Sequence, residues 1–154
     1  MLELFVGNRN YSSWSMRAGV LVRQAGIDCR EIRVRLDMHE PDSRFRQIIT
    51  PLNPAATVPL LRDGELIVSD SLAIAEYLAE RFPDRQLWPA EVAARARARS
   101  ACARMHAGFS ALRQACPMNI EASLVEAGRL IWRDRPAVRA DVQAIDTLWQ
   151  DLLA

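Results

Sequence analysis

The sequence predicts an α/β domain on a mixed four-stranded sheet, followed by an all-helical region. Three observations carry this. Apolar patterns over residues 1–83 run β-α-β-α-β-β-α. An Asp-Gly pair, Asp63-Gly64, separates the last two apolar runs of that stretch, a strong hairpin signal. A two-proline segment at 84–90 then gives way to patterns of purely helical spacing. The expected organisation is a domain at 1–83, a linker at 84–90 and a helical domain at 91–154.

Each element has its own warrant. Leu2–Val6 is a short apolar run closed by Gly7-Asn8 and reads as a buried strand. Ser12 and Ser13 are candidate caps for a helix over about 14–24, whose apolar face is Trp14, Ala18, Leu21, Val22 and Ala25, with Gly26 as its stop. Ile32, Val34 and Leu36 alternate with Glu31, Arg33 and Arg35, the period of a half-buried strand. A helix between two strands implies a parallel pair. A short helix is expected over 43–49. The runs 58–62 and 65–68 flank Asp63-Gly64, and a type I′ turn there needs positive φ at both residues. Ser69, Asp70 and Ser71 cap a helix with Leu72, Ala75, Leu78, Ala79 and Phe82 on its apolar face, ended by Pro83.

In the second half, Cys102, Met105, Phe109, Leu112 and Cys116 recur at helical spacing. They predict one buried stripe of a single helix over about 90–115. Residues 118–135 give no clear pattern. Pro136 suits a helix first turn, and Val138, Val142, Ile145, Trp149 and Leu152 mark a last helix.

Composition narrows the chemistry. The chain has 154 residues, a net charge of +1, half its residues apolar and a quarter charged, which is globular usage. Such a charge gives no global attraction to nucleic acid or anionic lipid. All 20 basic residues are Arg, so Schiff-base, lysine-base and lysine phosphate-loop chemistry are excluded. Cys29, Cys102 and Cys116 are widely spaced and read as small buried hydrophobes rather than a disulfide framework or a metal site. The first residues lack a basic-then-apolar leader pattern, and the expected location is the cytoplasm.

Several motifs point to a ligand. Ser12 and Ser13 sit where a strand gives way to a helix, where N–H groups and the positive helix end favour an anion. The competing reading is a plain N-cap. Asp70 and Ser71 open another helix and read, on the residues alone, as its caps. Val58-Pro59 precedes the hairpin, and on the residues alone a trans proline opening an edge strand is expected.

Strand, YSSWSMR, helix, NPAATVPLL, DG and IVSDSLAIAEYL, with a helical second half, together resemble the cytosolic glutathione S-transferases. The serine motif is similar to that of their zeta-type members. The resemblance implies a thioredoxin-like N-terminal domain that binds glutathione. It implies that Ser12 or Ser13 activates the thiol, with Ser12 aligned to the first serine of the zeta-type motif. It implies a cis peptide at Val58-Pro59 whose backbone pairs with the cysteinyl part of glutathione. It implies that Asp70 and Ser71 hold the γ-glutamyl end, with Asp70 shorter than the usual Glu.

Thr57 stands where many members carry Lys or Gln near the glycyl carboxylate, and His39, Arg44 or Arg46 are candidate substitutes. Arg17 orients the site or is a solvated helix residue. The resemblance places Met105, His106, Phe109 and Arg113 near the electrophile pocket, against the plainer reading of core and surface residues.

The leading expectation is a dimeric detoxifying glutathione transferase acting on a small hydrophobic or acidic electrophile. Alternatives are a glutathione-dependent cis–trans isomerase of a small diacid and a non-catalytic interaction protein on the same fold. Members of the family usually continue for further helices. The helical domain is therefore expected to be incomplete, and its uncovered apolar stripes to drive dimerisation or instability.

Overall fold

A computed structural model describes residues 1–37 and 40–153. The chain divides into two compact units, Met1–Leu87 and Trp88–Ala154.

In the first unit the order is β1 (Leu2–Val6), α1 (Ser13–Gln24), β2 (Cys29–Arg33), α2 (Arg44–Ile49), β3 (Leu60–Asp63), β4 (Leu66–Ser69) and α3 (Ser71–Arg81), then a single 3-10 turn at Pro83–Arg85. The sheet order is β2-β1-β3-β4. β1 and β2 are parallel, while β1–β3 and β3–β4 are antiparallel. This is the mixed four-stranded sheet of a thioredoxin-like domain.

β1 is central and buried on both faces. Leu2, Leu4 and Val6 pack with Ala18, Val22, Leu61, Ile74 and Leu78, between the sheet and α1 and α3. Phe5 points the other way and packs with Val34, Phe45, Ile49 and Leu60, which brings α2 onto the opposite face. Phe45 has no exposed surface, so truncating it to Ala costs about 3–5 kcal/mol.

Several expectations are corrected. β2 spans 29–33 rather than 31–36, because its ladder partner β1 ends at Val6, which pairs with Arg33. Val34 is still buried and its N–H still reaches the Val6 carbonyl at 2.8 Å. The buried stripe of α3 is Ser71, Ile74 and Leu78, so Ile74 supplies core that the expected face had given to Ala75 and Ala79. The hairpin has positive φ at Gly64 alone. Asp63 pairs with Leu66 in the ladder, so the central residues are Gly64 and Glu65, and without positive φ at Glu65 the turn is not type I′.

The second unit holds α4 (Val92–Ala107), α5 (Ser110–Ala115), α6 (Val125–Asp134) and α7 (Pro136–Leu153). The single helix expected over 90–115 is broken at Gly108-Phe109. Gly108 is extended and Phe109 is left-handed, with φ 64°. A Cβ at 108 would lie 2.7 Å from the Arg104 carbonyl oxygen, so glycine is what lets the chain leave α4 there. The continuous buried stripe is lost with the break: Phe109 is buried, Met105 and Leu112 are half-buried, and Cys102 and Cys116 are exposed. The thiols at 102 and 116 are therefore not buried hydrophobes. In α7, Val138 is buried, whereas Trp149 and Leu152 are exposed. The Asp141 carboxylate accepts from the Leu112 N–H at 2.9 Å and ties α7 to α5. Among the described residues, no helix is long and apolar enough to cross a membrane.

Candidate functional site

The sheet register brings the start of α1, Val58-Pro59 and the start of α3 to one end of the sheet. Phe5 of β1 pairs with Leu60 of β3, and Leu60 pairs with Ser69 of β4. The C-terminal end of β1, the start of β3 and the end of β4 are thus neighbours. Beyond them stand the α1 start, the Val58–Pro59 peptide and the α3 start.

Ser12, not Ser13, caps α1. Its Oγ accepts the Ser15 N–H at 3.4 Å, and Ser13 is the first helical residue. Ser12 is mostly buried, and its Oγ also lies 2.8 Å from the Ser15 Oγ. Ser15 is 4% exposed and accepts the Gly7 backbone N–H at 3.0 Å. Ser15 is absent from the residues that the sequence marks as candidates. Its signal is the third serine of YSSWSMR, which falls one turn after Ser12. Arg17 stacks over the Trp14 ring at 4.1 Å from the centroid.

The Val58–Pro59 peptide is cis, against the trans form expected from the residues alone. A proline makes that form cost little. The preceding loop is held by Asn53, whose Nδ2 donates to the Thr57 Oγ1 at 3.0 Å. Tyr11, Ser12, Ser13, Trp14, Leu36, Thr57 and Val58 line one open cleft of about 260 Å³. One wall is the N-terminus of α1, which favours negative charge. The other is the strand-like backbone before Pro59.

Asp70 caps α3. Its Oδ1 accepts the Leu72 N–H at 2.7 Å and the Ala73 N–H at 3.4 Å. Asp70 holds φ 87°, an unfavourable region for a residue with a Cβ. Ser71 follows and is buried.

On the helical side the expected residues meet different fates. Met105 and His106 are half-buried on the last turn of α4. Phe109 is core. Arg113 donates to the Gly108 carbonyl at 2.9 Å and to the Met105 carbonyl. In the first unit, Arg44 and Arg46 are exposed on α2. His39 lies outside the described residues.

Comparison with known proteins places this arrangement. The family model "Glutathione S-transferase, N-terminal domain" matches residues 11–81. A zeta class glutathione S-transferase of Euphorbia esula is 36% identical over 81 residues, covering 53% of this chain and 35% of that protein. A maleylacetoacetate isomerase of Pseudomonas aeruginosa is 31% identical over 121 residues, covering 77% of this chain and 55% of that protein. This chain therefore spans between about a third and just over half of these relatives' length. Among solved structures, a Burkholderia glutathione transferase homolog with bound glutathione is 29% identical at a TM-score of 0.59, over 74% of this chain and 58% of that one. The first unit of this chain is therefore a glutathione S-transferase N-terminal domain and belongs to that family.

Proposed function

We propose that this protein binds glutathione at the end of the sheet and stabilises its thiolate for addition to a small electrophile. The observation that carries the reading is the cleft lined by both Ser12 and Val58, with the start of α3 following β4 at the same end of the sheet through the Phe5–Leu60–Ser69 register. Ser12 donates its hydroxyl to the sulfur, and the positive end of α1 adds to the stabilisation, so the thiol ionises more readily. Val58 offers strand-like backbone to the cysteinyl unit. Ser71 and the α3 N-terminus receive the γ-glutamyl carboxylate, and the Asp70 carboxylate accepts from its ammonium. Glutathione supplies the nucleophilic sulfur.

Similarity to the Pseudomonas aeruginosa maleylacetoacetate isomerase supports a second reading, in which glutathione serves as a recycled cofactor for cis–trans isomerisation of a small diacid. We also place the protein in the cytoplasm, in detoxification, as a homodimer. The exposed Trp132, Trp149 and Leu153 support association, and a stable monomer in sedimentation would count against it.

Calorimetric titration with glutathione tests the main reading. Binding is expected, weakened about tenfold or more in Ser71→Ala, since a hydrogen bond to a charged group contributes about 1.5–3 kcal/mol. Conjugation of a generic aromatic electrophile is expected to fall in Ser12→Ala. No binding at millimolar glutathione would sink both glutathione-dependent readings.

A further inference from the structure

Ser15 has a buried hydroxyl that the helix does not need. The α1 cap comes from Ser12. A buried hydroxyl costs stability unless it is paired. Ser15 is paired on two sides, by the Gly7 N–H at 3.0 Å and by the Ser12 Oγ at 2.8 Å. Ser12 lines the cleft and Ser15 does not.

Two hydroxyl oxygens 2.8 Å apart share one hydrogen bond between them, and the same heavy-atom geometry serves either direction. If Ser12 donates inward, its proton is turned away from the cleft. If Ser15 donates to Ser12, the Ser12 proton is released toward the cleft. The Gly7 N–H occupies one lone pair of the Ser15 Oγ in both cases. The second direction gives a chain of donors, Gly7 N–H to Ser15, Ser15 O–H to Ser12, Ser12 O–H to an acceptor in the cleft. Each donor polarises the next and strengthens the last.

We propose that Ser15 is a positioning residue that relays this chain. It donates to the Ser12 oxygen and so turns the Ser12 hydroxyl onto an anionic sulfur in the cleft. Every hydroxyl keeps its own proton, and only the direction of donation changes. The proposal rests on the reading that Ser12 faces the glutathione thiolate. Ser15 itself does not touch the ligand.

The test is a pH titration of the thiolate absorbance of bound glutathione, using the full chain, with affinity measured separately by calorimetry. Ser15→Ala is expected to raise the bound thiol's pKa by about 0.5–1. Affinity at a pH where the thiol stays protonated is expected to be unchanged. Ser15→Thr, which keeps the hydroxyl, is expected to restore the wild-type pKa. In a Ser12→Ala background, Ser15→Ala is expected to have no further effect on the pKa.

Ser15→Ala also leaves the Gly7 N–H without its acceptor. Should that variant not fold, Ser15→Cys keeps a weak acceptor but donates poorly, and the same rise is expected. A raised pKa in Ser12→Ala with none in the Ser15 variants overturns the relay and leaves the parent reading standing. No glutathione binding, or no effect of Ser12→Ala on the thiol, overturns both.

Discussion

Arg113 donates through its Nε to the Gly108 carbonyl oxygen at 2.9 Å, and its Nη2 donates to the Met105 carbonyl. One guanidinium thus satisfies two carbonyls at the end of α4, where the helix has no further turn to supply donors. The fork geometry of arginine suits this task, and a lysine ammonium does not reproduce it. Arg113→Ala is expected to cost about 1–3 kcal/mol, seen as a lower urea midpoint, with glutathione affinity retained. Arg113→Lys should recover only part of the loss. Wild-type stability in Arg113→Ala together with lost activity on an acidic electrophile would assign the residue to substrate instead.

That residue also shows where the sequence stops being legible. Elements defined by their own residues were readable: the doubly buried β1, the serine and aspartate caps, the Pro136 start. Boundaries set by a partner were not. β2 ends where β1 runs out of residues to pair with, and no local pattern in 29–36 says so. The α4–α5 break is hidden because Gly108 inside a helical pattern looks like a mild weakness until its Cβ position is found against the Arg104 carbonyl. The candidate site was legible as motifs, because caps and prolines are local. Ser15 was not, since its meaning depends on Gly7, eight residues earlier, folding back onto it.

A second prediction concerns acid stability. Glu31 on β2 accepts from Arg9 at 2.8 and 3.0 Å and from Arg33 at 2.9 Å, with Arg23 at 3.6 Å. Burial pushes its carboxyl up, but the hydrogen bonds and charge of Arg9 and Arg33 outweigh that and hold it below the ordinary value of 4.5. A carboxylate lowered in the folded state contributes stability above its unfolded value, and loses it as pH falls through the folded value. Stability should therefore drop on acidification below about pH 4.5, and less steeply in Glu31→Gln. Salt should flatten the difference, because the arginines are largely exposed. Equal acid slopes in the two proteins would contradict this.

Thiol reactivity should separate the three cysteines. Burial, and after it the charges of Asp28, Glu3 and Glu31, push the Cys29 thiol up to about 11, so at neutral pH it stays protonated. The thiolate is the reactive form, and Cys102 and Cys116 are exposed. Native alkylation followed by mass spectrometry should modify Cys102 and Cys116 and spare Cys29, with all three modified in denaturant. Native labelling of Cys29 at the rate of Cys116 would show that the edge of β2 opens freely.

Thr57 is exposed at the cleft and engaged by Asn53, in a chain with no lysine to supply a cation there. Thr57→Lys places an ammonium on a flexible stem beside the proposed position of the glycyl carboxylate. An exposed ion pair contributes about 0.2–1 kcal/mol, so glutathione should bind up to about fivefold more tightly at low salt. Turnover at saturating glutathione should change little, because the contact is made equally in ground and transition states. The gain should fade as ionic strength rises, since the pair sits in solvent. Thr57→Gln, which adds length without charge, should show no such salt dependence. If Thr57→Lys tightens binding equally at every ionic strength, the added affinity is not electrostatic and the glycyl carboxylate lies elsewhere.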